Sequence, residues 1–295
     1  LVRNVVSVDA ARREAFIQTA GRFSDRDPYY RDLCRVDLDT GELTTISSSD
    51  HEIVAVTQKD NMTALVNMFG RDIADTCSAS PSGHFAVITR SRADEIPVSL
   101  LVDREGHECL TLETADVSAL PEGWQWPEPV KLLAADGKTD IYGLVFRPSD
   151  FSPEKSYPIV SHVFNTPELP SVCKGSFSNG MFSDWFYLDG AALAELGFIV
   201  VQIDGRGTPY RDKAFQDENY GWIESSSKLE DHVAGIQQLA KRYPFMDLNR
   251  IGITSHPTGG PGGVQGLLQH PDFYTVGVNG MFHDSRLLSS VMWGD

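Results

Sequence analysis

A chain of 295 residues, 41% hydrophobic and 22% charged, has an ordinary globular balance and room for two domains. Its net charge of −16 makes nucleic acid and anionic membrane surfaces poor partners, because phosphate binding needs a basic footprint. No run of about 20 apolar residues is present, and Leu1-Val2-Arg3-Asn4-Val5-Val6 lacks the long apolar core of a signal peptide, so no membrane span is expected.

Residues 1–118 read as short alternating runs with a turn signal every ten residues or so, the all-β rhythm of a propeller or sandwich. Val5 to Val8, Glu14 to Gln18 and Asp32 to Val36 precede the turn Asp37-Leu38-Asp39-Thr40-Gly41, and Leu43 to Ile46 follows it. The phrase recurs in kind. Ser80-Pro81-Ser82-Gly83 leads into Phe85 to Thr89, then Val98 to Val102, a turn at Asp103-Arg104-Glu105-Gly106, and Cys109 to Leu112. Strand, Asp/Gly turn, strand is the rhythm of a β-propeller blade. Only about two blades fit, whereas a closed propeller needs at least four, so this part is expected to be the tail of something larger.

A linker at 119–130, rich in Pro and Trp, separates these blades from residues 131–295. Val130 to Leu133 and Ile141 to Phe146 predict a hairpin around Asp136-Gly137. Tyr157 to Phe164, Phe198 to Ile203 and Ile251 to Thr254 are nearly continuous apolar runs, the kind buried on both faces of a parallel sheet. Between them, Ala191 to Leu196 predicts a helix stopped by Gly197. Leu229, Val233, Ile236 and Leu239 share one helical face behind a Ser227-x-x-Glu230 capping box. The succession predicts a doubly wound α/β layer. Cys34, Cys77, Cys109 and Cys173 form no C-x-x-C pair and no zinc spacing. They read as free, mostly buried thiols, which fits the cytoplasm or a periplasmic protein without disulfides.

Arg250-Ile251-Gly252-Ile253-Thr254-Ser255-His256-Pro257-Thr258-Gly259-Gly260 is a strand running into a Gly-rich turn, where an α/β-hydrolase carries its G-x-S-x-G nucleophile elbow. Together with Asp204-Gly205-Arg206-Gly207-Thr208, Leu229-Glu230-Asp231-His232 and Gln269-His270-Pro271-Asp272-Phe273-Tyr274, it strongly resembles the prolyl oligopeptidase family, in its dipeptidyl-peptidase-IV-like branch. The resemblance implies a serine-peptidase α/β-hydrolase domain behind a β-propeller, here both partial, with no cofactor and no metal. It places the nucleophilic serine at Pro257, the first elbow glycine at Ser255 and the second at Gly259. It also places the oxyanion tyrosine at Phe164, in Val163-Phe164-Asn165-Thr166-Pro167, and leaves the backbone N–H of Thr258 as the remaining oxyanion donor.

Proline has no hydroxyl and its φ is locked near −65°, so both the nucleophile and the strained elbow are lost. Phenylalanine cannot donate to an oxyanion, a loss of about 3–4 kcal/mol of transition-state stabilisation. The family's acid and histidine lie beyond Asp295, which leaves this chain an expected pseudoenzyme of a hydrolase family. Ser255 and Thr258 are the only hydroxyls near the turn, each a candidate displaced nucleophile against the plainer reading of a structural side chain. His256, His270 and His283 are likewise read as surface or capping residues. Trp293 falls near the family's apolar specificity pocket. Asp204 and Arg206 are expected to form a buried pair that fixes a loop. The Gly259-Gly260-Pro261-Gly262-Gly263 run lacks the ending of a P-loop and reads as a loosened helix start rather than a phosphate cradle. Expected partners are a peptide or peptide-like ligand and either a second copy or a completing chain. The competing expectation is a working serine peptidase when longer, or when another chain completes the propeller and the sheet.

Overall fold

Alternation of apolar and polar side chains, read in sequence as strands, is realised in a computed structural model of the chain. Residues 1–55, 79–163, 170–177, 181–218, 228–255 and 262–279 are described here. The chain divides into two units, Leu1–Leu120 with Lys174–Asp184, and Pro121–Cys173 with Trp185–Asp295.

The first unit contains two antiparallel four-stranded sheets. One runs in the order β1 (Val2–Asp9), β2 (Glu14–Ala20), β3 (Arg31–Asp37), β4 (Leu43–Ser47). The other runs β5 (Glu52–Val54), β6 (Phe85–Ser91), β7 (Val98–Asp103), β8 (Glu108–Thr114). In β6 the period of two is plain, with Ala86 and Ile88 buried while Phe85 and Val87 are exposed. The sheets share one core, built from Val6, Phe16, Leu33 and Ile46 of the first and Ile53, Ala86, Ile88, Leu100 and Val102 of the second.

Both turns rest on the same aspartate chemistry. Asp37 accepts from the N–H groups of Asp39 and Thr40 at 2.9 and 2.8 Å, and Asp103 from those of Glu105 and His107 at 3.0 and 2.8 Å. Gly106 has φ of +96° and backs directly onto the carbonyl of Ile46, so a side chain there is excluded twice over. Glu14 bridges the sheets by taking Arg35 at 2.8 Å and Arg104 at 2.7 Å. The outer strand β8 is exposed along its whole length and shifts register against β7 twice. Cys109 lies on it and is exposed, unlike Cys34 and Cys173, which are buried. Cys77 lies outside the described residues.

The second unit is a six-stranded sheet in the order β14 (Val276–Asn279), β13 (Met246–Ser255), β11 (Tyr157–Val163), β12 (Ile199–Asp204), β10 (Asp140–Phe146), β9 (Glu128–Leu133). β9 and β10 form the expected hairpin. The carboxyl of Asp136 holds its turn through the N–H groups of Lys138 and Thr139, which keeps its pKa well below the usual carboxylate range. The four strands β11 to β14 are parallel. Every residue of β12 is buried, which is why its sequence shows no alternation.

Helix α1 (Met181–Glu195) packs on one face of the sheet, where Gly190 approaches Phe146 and Gln202 so closely that a Cβ would come within 2.9 Å of the Phe146 ring. After the short α2 (Lys213–Asp217), helices α3 (Leu229–Arg242) and α4 (Gly262–Gln269) pack on the opposite face. There Gly235 sits against Ile203 and Leu132, and Gly266 against Ile253. The connection β11–α1–β12 runs one way along the sheet, whereas β12–α3–β13–α4–β14 runs the other. Right-handed crossovers then put the helices on opposite faces. This is a partial α/β-hydrolase layer preceded by propeller-like blades.

Two local expectations change. Helix α1 starts ten residues before Ala191, and α3 is capped by Lys228, in a left-handed conformation with no side-chain cap, rather than by a Ser227 capping box. Its first turn carries Glu230 and Asp231, which favour the positive end of the helix dipole.

Candidate functional site

In an open α/β sheet, ligands bind at the carboxyl ends of the parallel strands. Here that edge is the row Val163, Ser255 and Asn279, register partners on β11, β13 and β14. Positions 164 and 256 directly follow neighbouring strands, and α4 begins at Gly262. Phe164, Pro257, Thr258 and Trp293, with His256 and His283, lie outside the described residues, so the structure supplies the frame around them.

Within that frame Ser255 is 3% exposed. Its hydroxyl donates to Oδ1 of Asn279 in a short contact and accepts the N–H of Gly263 at 3.2 Å. A side chain at 263 would strike Asn279, which is how α4 comes this near. The serine proton is held by an amide oxygen, which is no base, and one of the N–H groups that a helix start offers an anion is already taken. This hydroxyl joins strand to helix and is not poised as a nucleophile.

The loop after β12 differs from expectation. Asp204 and Arg206 hold different partners instead of each other. The fully buried carboxylate of Asp204 accepts the N–H and hydroxyl of Ser171 at 2.7 and 3.0 Å and the N–H of Val172 at 3.2 Å. Arg206 turns to Asp231 on α3. Its Nε lies 3.2 and 3.1 Å from the two carboxylate oxygens and its Nη2 2.9 Å from Oδ1, while its backbone N–H donates to Oδ2 at 2.8 Å. Asp231 also accepts the N–H of Ala135 from the β9–β10 turn at 2.9 Å. Gly207, with φ of +91°, follows both anchors and donates its N–H to the carbonyl of Phe215 at 2.9 Å. The loop is fixed as expected, but by two separate anchors.

The neighbouring His232 is fully buried, and desolvation pushes its pKa down to about 4 against a small opposing pull from Asp231. His270 follows α4 directly, its N–H returning to the carbonyl of Gly266 at 2.9 Å and its ring lying edge-on to Tyr274, as expected of a helix-end residue. Tyr274 is itself buried, which raises its pKa to about 12. One polar pair near the edge carries no sequence signal. His162, two residues before Phe164 and 4% exposed, meets Gln202 of β12 through Nδ1 at 3.0 Å. Among the described residues, no three His, Cys, Asp or Glu side chains are placed to hold a metal ion. No helix among them is long and apolar enough to cross a membrane.

Comparison with known proteins accords with this geometry. Residues 185–286 match the model of the prolyl oligopeptidase family. Over 154 residues the chain is 33% identical to dipeptidyl peptidase 8 of Homo sapiens, covering 52% of this chain and 16% of that protein. Over 212 residues it is 24% identical to dipeptidyl-aminopeptidase B of Aspergillus niger, covering 66% of this chain and 22% of that one. A crystal structure from Bacteroides ovatus named for a dipeptidyl aminopeptidase IV superposes with a TM-score of 0.72 at 24% identity, over 95% of this chain and 35% of that one, and shares the fold. The chain thus spans about a fifth of these two relatives. On the family match over residues 185–286 and these relatives, the chain is similar to the prolyl oligopeptidase family, in its dipeptidyl-peptidase-IV-like branch.

Proposed function

We propose that this chain is a degenerate peptidase whose remaining role is to bind a peptide or peptide-like segment without cleaving it. The observation that carries this reading is the double substitution at the candidate site, Pro257 at the nucleophile position and Phe164 at that of the oxyanion tyrosine. Without a hydroxyl at 257 no acyl-enzyme forms there, and without the tyrosine the charge of a tetrahedral intermediate loses a donor. The engaged hydroxyl of Ser255 supports the same reading, since it is the nearest described alternative.

Fluorophosphonate labelling of the 295-residue chain, read by intact mass and tryptic mapping, tests this. The expected result is no adduct. A stoichiometric adduct on Ser255, Thr258 or any other serine overturns it.

A second reading rests on coverage. The chain spans 16% and 22% of the two relatives compared, so a longer form, or a completing chain, would supply the triad acid and histidine. In that reading the assembled protein is an active serine peptidase. Labelling and peptide hydrolysis by the longer form, both positive, would favour it, and both negative would leave the binding role.

A further inference from the structure

We infer that Gln202 is a positioning residue that locks His162 in its Nε2–H tautomer, so that this histidine serves the carboxyl edge as a fixed donor and not as a base. Gln202 is fully buried on β12, and its amide has one geometry compatible with its surroundings. The amide nitrogen lies 2.6 Å from the backbone carbonyl of Phe186 on α1 and 3.0 Å from Nδ1 of His162. Exchanging the amide oxygen and nitrogen would set an oxygen against the Phe186 carbonyl at that distance, which is repulsive. The NH2 group therefore faces both neighbours, and Nδ1 must accept.

A neutral imidazole that accepts at Nδ1 carries its proton on Nε2. The cost of the arrangement is visible in the same side chain, since Oε1 of Gln202 is buried and has no hydrogen-bond partner among the described residues. A buried acceptor without a partner calls for an explanation, and a fixed amide orientation supplies one. Three features hold the pair in this arrangement. Gly190 of α1 lies so close that its Cβ position would be 3.1 Å from Nε2 of Gln202, the Phe186 ring leans on the imidazole at 5.6 Å, and the Gln202 backbone is held between β10 and β11.

The chemical consequence concerns the outer nitrogen. Nε2–H can hold a carbonyl or carboxylate oxygen, whether from this chain or from a ligand. It cannot take a proton from a hydroxyl, because its lone pair is in the ring and that of Nδ1 is engaged. His162, on β11 two residues before Phe164, is thereby removed from general-base chemistry. The tautomer follows from the geometry alone and holds whether or not the chain cleaves peptides.

Long-range 1H–15N correlation of the histidine rings in the full chain at neutral pH tests it, with His162→Phe identifying the signal. The expected result is Nδ1 in the pyridine-type range and Nε2 in the pyrrole-type range. The reverse assignment, or an imidazolium pattern at both nitrogens, overturns it. Gln202→Leu supplies a second arm that removes the donor to Nδ1. The expected result is a shift of both ring nitrogens towards the averaged positions of a tautomer mixture, and an unchanged pattern in the folded variant overturns the role of Gln202.

Discussion

Ser255 and Asn279 are register partners at the ends of two parallel strands, and the serine hydroxyl is the donor between them while it also receives the N–H of Gly263. One hydroxyl thus ties β13, β14 and the first turn of α4. Replacing Ser255 with Ala leaves a buried N–H and an amide oxygen unpaired, at an expected cost of about 1–3 kcal/mol in urea unfolding. A loss below about 0.5 kcal/mol, ordinary for a surface change, would show that these bonds are not made in solution.

Asp231→Ala removes the acceptor of the Arg206 side chain, the Arg206 N–H and the Ala135 N–H together. Asp231 is fully buried and Arg206 is mostly covered, so breaking one side of the pair is expected to cost about 3–5 kcal/mol. Asp204→Ala should destabilise separately, because its partners are Ser171 and Val172. Additive losses in the double variant are expected from two independent anchors. A coupling energy of several kcal/mol in a double-mutant cycle would restore the direct Asp204 and Arg206 pair.

Gly235→Ala sets two effects against each other. Helix propensity alone favours alanine by about 1 kcal/mol. The new Cβ, however, would lie 2.6 Å from Cδ1 of Ile203 and 3.1 Å from that of Leu132, inside a filled core. Overpacking of this kind costs about 1–3 kcal/mol and is expected to win, lowering the midpoint of thermal unfolding. A raised midpoint would mean that the helix stands farther from the sheet.

Acid should weaken the fold through His232. Burial lowers its pKa from 6.5 to about 4, so between those values the unfolded chain binds a proton that the folded chain excludes. Its contribution is fully present above about pH 6.5 and is lost as pH falls towards 4, by about 3 kcal/mol in all. His232→Gln should flatten the stability profile in that window relative to the parent. Parallel profiles would show that His232 does not titrate there.

Much of the sheet was legible because burial on both faces leaves a continuous apolar run, as in Ile199 to Ile203. β14 was not, since its burial alternates against its hydrophobicity, with Val276 and Val278 57% and 63% exposed while Gly277 and Asn279 face inward. Gly190 hid the first half of α1. In sequence a mid-helix glycine reads as a break, whereas in the fold it is the contact that lets the helix reach Phe146. The resemblance also misled at the loop after β12, where it suggested Asp204 as the partner of Arg206. The actual partner lies 25 residues on, and the His162 and Gln202 pair spans 40. The substituted positions themselves were read by matching a motif, which reports the residue at a place and not the shape of that place.

The outermost blade strand, β8, shifts register twice within seven residues and carries Glu108 and Glu113. A strand arriving from another molecule would meet donors and acceptors out of step with its own, beside two negative charges. Ordered fibre growth from this margin is therefore disfavoured, even though Leu110 and Leu112 lie open to water on it.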